Sequence, residues 1–135
     1  MILVDTSVLS MGFRRRARPG PEQPLVRAFR RLVEEDQPVA IPGIVLQELL
    51  SGVKTEHDFA RLLDILDGFP IVPAARGHHV AAARISNACR QAGVSASAVD
   101  CLIAAMTVES KGKLLTADED FSRMARHCDL QLFET

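Results

Sequence analysis

The sequence has no Trp and no Tyr, and six Phe are its entire aromatic content. A core built from these 135 residues must therefore be largely aliphatic. Leu, Val, Ile and Ala supply it, and a hydrophobic share of 47% excludes an intrinsically disordered chain. Cysteine is scarce. Cys89, Cys101 and Cys128 are odd in number and form no Cys-x-x-Cys pair. That argues against a disulfide framework or a zinc knuckle, and it points to a reducing cytoplasm. No apolar run reaches the ~20 residues that span a bilayer, and no export leader is expected ahead of the first strand. Repeats, low-complexity tracts and linkers are also missing, so residues 1–135 read as a single domain.

The formal net charge of −1 excludes no class of partner. Its distribution says more. Arg14, Arg15, Arg16, Arg18, Arg27, Arg30 and Arg31 crowd into residues 14–31 against one acid, Glu22. Such a run can neutralise RNA phosphates, dock an acidic patch on another protein, or remain a solvated loop and helix face.

Strand and helix patterns alternate along the chain. "MILVD" is a continuous apolar run ended by a carboxylate, which reads as a buried strand. "TSVLSMGF" can start a helix capped by Thr6 or Ser7. "RRRARPGPEQP" is a loop by its prolines and glycine. "LVRAFRRLVEED" places Leu25, Phe29, Leu32 and Val33 on one helical side. "PVAIP", "FPIVP", "KLLTAD" and "LQLF" are short strand candidates. Helices are expected over "GIVLQELLSGV", "DFARLLDILDG", "GHHVAAARISNACRQAG", "SAVDCLIAAMTVESKG" and "EDFSRMARH". Gly93 and Gly112 are expected to close two of them. This alternation predicts an α/β protein with a parallel sheet and helices on both faces.

In open parallel sheets, ligands bind beyond the carboxyl ends of the strands. Asp5 stands at one such end, and Asp118 and Asp120 follow another. Asp100 opens the helix before that second strand, and Glu48 sits in a narrow polar sector of a mostly apolar helix. Each has an ordinary structural role open to it. Asp5 can cap a turn, Asp100 can pair with Ser97 in a capping box, Asp118 can cap the next helix, and Glu48 can be the solvent edge of a buried helix. Several acids near one sheet edge need a compensating cation, because clustered carboxylates raise one another's pKa. Oxygen ligands favour Mg²⁺ or Mn²⁺. Thr6, Ser7 and Thr116 read first as helix and turn caps, and otherwise as hydroxyl donors that hold the carboxylates. His78 and His79 read as caps or surface residues.

The segments "VDTSVL", "VLQELLSGV", "AVDCLIAAMTVESKGKLLTADEDF" and "LQLF" occur in this order over essentially the whole chain. Together they resemble the PIN domain, and within it the VapC-type toxins of bacterial toxin–antitoxin pairs. The resemblance implies a three-layer α/β/α fold with a small central parallel sheet of four or five strands. It implies an endoribonuclease that uses Mg²⁺ or Mn²⁺ on cellular RNA, a cognate antitoxin and a homodimer. By position, Asp5, Glu48, Asp100 and Asp118 match the family's catalytic, metal-binding acids, and Asp120 matches a further metal-binding acid of many relatives. Cys101 departs from the pattern, standing where an aliphatic residue is usual, and the early basic loop is long.

Two other readings use the same fold: a catalytically idle PIN scaffold that binds RNA or protein, and a structure-selective DNA nuclease. The first would usually have lost some of the acids, and the second carries added DNA-binding elements for which 135 residues leave little room. A phosphate-receiving signalling domain would need paired acids after the first strand and a Lys after a late one. This chain has one acid after "MIL", and acids after "KLLT".

Overall fold

The structure, a computed structural model, describes residues 1–14 and 23–134. Most of the basic loop, 15–22, lies outside the described residues, and so do the roles expected of Arg15, Arg16 and Arg18. The described chain runs from β1 (Ile2–Val4) and α1 (Thr6–Arg14) to α2 (Pro24–Glu34) and β2 (Val39–Pro42). Then come α3 (Gly43–Leu50), α4 (Glu56–Leu66), β3 (Ile71–Val72) and α5 (Arg76–Gln91). It continues through α6 (Ala98–Glu109), β4 (Lys113–Leu115) and α7 (Asp120–Met124). No helix among the described residues is long and apolar enough to cross a membrane.

The four strands form one sheet in the order β3-β2-β1-β4, and every pairing is parallel. Leu3 pairs with Ala40 on one side and Leu114 on the other. Leu3, Val4, Ile41, Leu114 and Leu115 have no exposed surface, as central strands covered on both faces require. The expected final strand "LQLF" is reduced to one bridge, Leu132 to Leu114. Two backbone bonds hold it to β4, from Leu114 N–H to Gln131 O and from Phe133 N–H to Leu114 O, and burial of Leu130 with part-burial of Leu132 and Phe133 adds packing.

Helix ends explain most departures from the sequence reading. α3 stops at Leu50 because Ser51 is extended and Gly52 takes φ +84°, so "SGV" is not helical. α7 is five residues long; tighter turn bonds, from Arg126 N–H to Arg123 O and His127 N–H to Met124 O, replace helix after Met124. Gly93 closes the α5 segment with φ +74°, as expected. Gly112 does not do the same after α6. Lys111 takes the left-handed conformation there, with φ 56°. Gly112 has a different reason: a Cβ on it would lie 2.1 Å from the Met1 carbonyl, where β4 begins to pair with β1. Val33 on α2 turns to solvent, so the apolar side of that helix is narrower than expected.

β1 is the topological switch point. β2 and β3 follow on one side of it, and β4 lies on the other. The crevice beyond the carboxyl ends of β1 and β4 is therefore where such a sheet presents a ligand site. α6 supplies the third wall. It buries Cys101, Ile103, Ala104, Ala105, Met106 and Thr107, which cover nearly its whole circumference. Cys101 acts there as a small core residue, and burial pushes its thiol up from the usual range.

Candidate metal centre

Asp5 is the first residue after β1 and is 5% exposed, a rare degree of burial for a carboxylate. Its Oδ2 accepts hydrogen bonds from Ser7 Oγ at 2.9 Å and Thr116 Oγ1 at 2.8 Å. Thr116 follows β4 directly, so hydroxyls after both central strands converge on one oxygen. Among the described residues no donor reaches Oδ1. The expectation that Thr6 and Ser7 cap α1 fails, because α1 begins at Thr6 itself. Their hydroxyls donate to carboxylates instead: Ser7 to Asp5, and Thr6 to Glu48 Oε1 at 2.9 Å.

Thr116 has a second role. Its Oγ1 accepts the Asp118 N–H at 3.0 Å, and Asp118 Oδ1 accepts the Asp120 N–H at 2.9 Å. The chain after β4 is thus folded by its own side chains into a turn that presents both acids. Asp118 is not the N-cap of α7; Glu119 occupies that position. Thr116→Val deletes the donor to Asp5 and the acceptor for Asp118 while keeping the volume. It is expected to cost about 1–3 kcal/mol, the usual range for unpairing a partly buried polar group. Urea titration checks this, with a lower midpoint at unchanged slope. A midpoint equal to the parent's would mean that the hydroxyl holds nothing.

Asp100 reaches the same place from the first turn of α6. Ser97 caps that helix, accepting the Asp100 N–H at 3.0 Å. Oxygens of Asp100, Asp118 and Asp120 lie within 4.8 Å of one another. Burial pushes the Asp100 carboxyl up from 3.8 to about 6; the charges of Asp118, Asp5 and Asp120 push the same way, and a hydrogen bond with Ser97 opposes them. The field of Asp5 is therefore felt at Asp100, although Asp5 is not one of the three acids whose oxygens meet.

Glu48 also lies outside that triplet. It is exposed on α3 and is joined to the site through Thr6, the neighbour of Asp5. Arg123 was not singled out from the sequence. Its Nη1 donates to Asp120 Oδ1 at 2.5 Å, and Nη2 lies 3.8 Å from Glu119 Oε2. The spacing from Asp120 to Arg123 on a short helix was the available signal. His78 is a cap, one of the two roles expected of it: its Nδ1 accepts the Ala75 N–H at 2.8 Å in the first turn of α5.

The donor set fits a hard cation. It is all carboxylate, with no His or Cys among the three acids that meet. Ligand oxygens at about 2.1 Å from Mg²⁺ stand roughly 3–4 Å apart, so closing a 4.8 Å group needs only small side-chain movements. Burial and then its carboxylate neighbours raise the Asp100 carboxyl, and among the described residues no donor reaches Asp5 Oδ1, which leaves that oxygen open to a cation.

An open parallel sheet with carboxylates gathered at its switch point defines the class: a three-layer α/β/α protein with an acidic, cation-ready site. Residues 2–127 match the family model described as PIN domain. The chain is similar to VapC ribonuclease Mb1587 of Mycobacterium bovis, 32% identical over 133 residues covering 97% of this chain and 96% of that protein. It has the same identity and coverages to Ribonuclease VapC11 of Mycobacterium tuberculosis. Among solved structures, FitAcB from Neisseria gonorrhoeae is similar with a TM-score of 0.77 at 25% identity, covering 99% of this chain and 97% of that one. VapBC2 from Rickettsia felis, bound to a DNA fragment from its promoter, has a TM-score of 0.76 at 21% identity, covering 98% of both chains. The chain belongs to the PIN domain family.

Proposed function

We propose that this chain is an Mg²⁺- or Mn²⁺-dependent endoribonuclease and the toxin of a toxin–antitoxin pair. The observation that carries the reading is the meeting of Asp100, Asp118 and Asp120 beside buried Asp5 at the sheet's switch point. The ribonuclease names of relatives that align over nearly the whole chain support it. Asp5, Asp100, Asp118 and Asp120 would hold the cation, Asp5 through the oxygen that no described residue bonds. A bound Mg²⁺ or Mn²⁺ supplies two things to phosphodiester hydrolysis: water of lowered pKa and neutralisation of phosphate charge. The chain's own contribution is to hold those carboxylates rigid. Ser7 and Thr116 fix Asp5, and the Thr116 turn fixes Asp118 and Asp120. Glu48, bonded by Thr6, would orient the attacking water or help hold a second cation.

The partner proteins in this reading are an antitoxin and a second copy of the chain, and the setting is the cytoplasm, where the cysteines stay reduced. A groove of about 460 Å³ between α1, α3 and α4, lined by Phe13, Leu49, Val53, Leu62 and Ile65, offers apolar surface for an antitoxin segment. VapBC and FitAB complexes among the similar structures support an antitoxin as partner.

The test is expression with and without the adjacent upstream open reading frame. Growth arrest is expected from the chain alone, with relief by the neighbour. The purified chain should cleave cellular RNA with Mg²⁺ or Mn²⁺ and lose activity in EDTA. Cleavage that persists in EDTA would sink the metal-dependent mechanism. Absence of both arrest and cleavage would sink the whole reading.

A further inference from the structure

From residue 68 to residue 99 the chain contains no Asp or Glu, although 17 acids are spread over the rest. α5 falls inside this stretch. Its buried side is Ala82, Ile85 and Cys89. At 100° per residue, Arg76, Arg84 and Arg90 fall within roughly 120° of arc on the opposite side. All three are exposed, and none is ion-paired with a described residue; Arg90 Nη1 lies 3.4 Å from Asn87 Oδ1. The row extends about 21 Å along the helix, and exposed Asn87 and Gln91 lie on the same side.

The carboxyl-terminal end of this face lies at the same end of the α5–α6 pair as the acidic site. α5 and α6 pack as a helical hairpin joined by 92–97, so the Arg90 end of α5 meets the Asp100 end of α6. Arg90, Ser86, Gly93 and Ser95 line a shallow depression there. Ser97, the cap of the Asp100 helix, is the last residue of that joining loop.

We propose that the exposed face of α5, with Arg84 and Arg90 at its centre, is the track along which an RNA backbone approaches the carboxylate site. The inference rests on the ribonuclease reading and names the surface that binds the substrate. Charge complementarity carries it. A row of cations without an ion pair to any described residue attracts phosphates, and Arg, Asn, Ser and backbone N–H groups are the usual phosphate donors. The carboxylates alone repel RNA, so an enzyme of this design needs a cationic approach. A protein partner is disfavoured because the face offers little apolar area beyond Val80. The apolar groove that suits a protein lies between α1, α3 and α4.

The experiment measures binding of fluorescent bulk tRNA by anisotropy in EDTA over a series of salt concentrations. The parent is compared with Arg84→Gln/Arg90→Gln and with Lys111→Gln/Lys113→Gln. The last pair removes the same charge at the opposite, amino-terminal edge of β4. Two lost phosphate contacts are expected to reduce the log–log salt slope by about 1.4–1.8, with weaker binding at low salt. The lysine control should keep the parent's slope. Cleavage of the same tRNA in Mg²⁺ is followed in parallel. A parent that binds and cleaves, together with an arginine variant of unchanged slope, overturns the surface alone. A parent that neither binds nor cleaves overturns the ribonuclease reading and the surface with it. An arginine variant that keeps the RNA slope but loses affinity for the neighbouring gene's protein reassigns the face to protein docking and overturns this proposal.

Discussion

Asp5→Asn and Asp100→Asn are each expected to lower RNA cleavage at saturating Mg²⁺ by at least about a hundredfold while leaving the fold intact. Losing only an outer hydrogen bond to a metal ligand commonly costs 10–100-fold, and a lost ligand charge costs more. Asn preserves the shape that each site requires. At position 5 its carbonyl can still accept from Ser7 and Thr116, as Oδ2 does. The amide nitrogen then occupies the Oδ1 position and presents donors where a cation needs an acceptor. At position 100 the cap is untouched, because Ser97 bonds the backbone N–H. Asp64→Asn, on exposed α4 away from the site, is the control and should retain the parent's rate. Single-turnover cleavage of tRNA together with circular dichroism of each variant makes the comparison. A folded Asp5→Asn or Asp100→Asn protein with the parent's rate would remove that residue from the site.

The strands were legible because a fully buried parallel strand must be apolar on both faces. "ILV", "VAIP" and the "LL" of "KLL" have that property over runs too short for a typical helix. Helix positions were legible from spacing, and helix ends were less so. α3 and α7 stop where Gly52 and the 123–127 turn break the hydrogen-bond ladder, and neither break alters the apolar pattern. Gly112 shows the same limit from the other side. Its position after a helix suggests a terminator, yet the demand on it comes from Met1, 111 residues earlier in the chain. Such a close approach leaves no periodic trace.

The acids were visible because they end strands or open helices, where a carboxylate has to be explained. Their mutual arrangement was not visible. Bonds from Thr116 to Asp5 and from Thr6 to Glu48 cross 111 and 42 residues, and only the sheet order creates them. The sequence reading preferred caps for these hydroxyls because capping is local and common. The tertiary carboxylate was the stronger acceptor, since hydrogen bonds to an ionised oxygen are roughly twice as strong as neutral ones. Arg123 escaped notice for the converse reason: an exposed i,i+3 ion pair is worth so little in general that only the company of Asp100 and Asp118 gives it meaning.

The second large effect expected is on stability, and it needs no substrate. Asp100 is held near pKa 6 in the folded chain against an ordinary 3.8, by burial and then by its carboxylate neighbours. A raised carboxyl pKa means that the folded state binds more protons than the unfolded state. The associated stability is present at acid pH and is lost as pH rises from about 4 to about 6. For a half-buried group, after allowance for solvent screening, the loss is about 1–2 kcal/mol. Saturating Mg²⁺ should reverse it, because a ligand that binds only the folded chain at about 100 times its Kd adds about 2.7 kcal/mol. Asp100→Asn removes both the desolvated charge and the repulsion. The metal-free variant should therefore melt several degrees above the parent at pH 7.5, match it below about pH 4, and gain less from Mg²⁺. If Asp100 were only a member of a capping box, Asn would be neutral or destabilising at every pH, and Mg²⁺ would act on both proteins alike. Thermal melts of parent and variant across pH 4–8, in EDTA and in Mg²⁺ at constant ionic strength, separate the two cases. Coincident melting curves under all conditions would mean that these carboxylates do not act on one another, and the cation site would go with them.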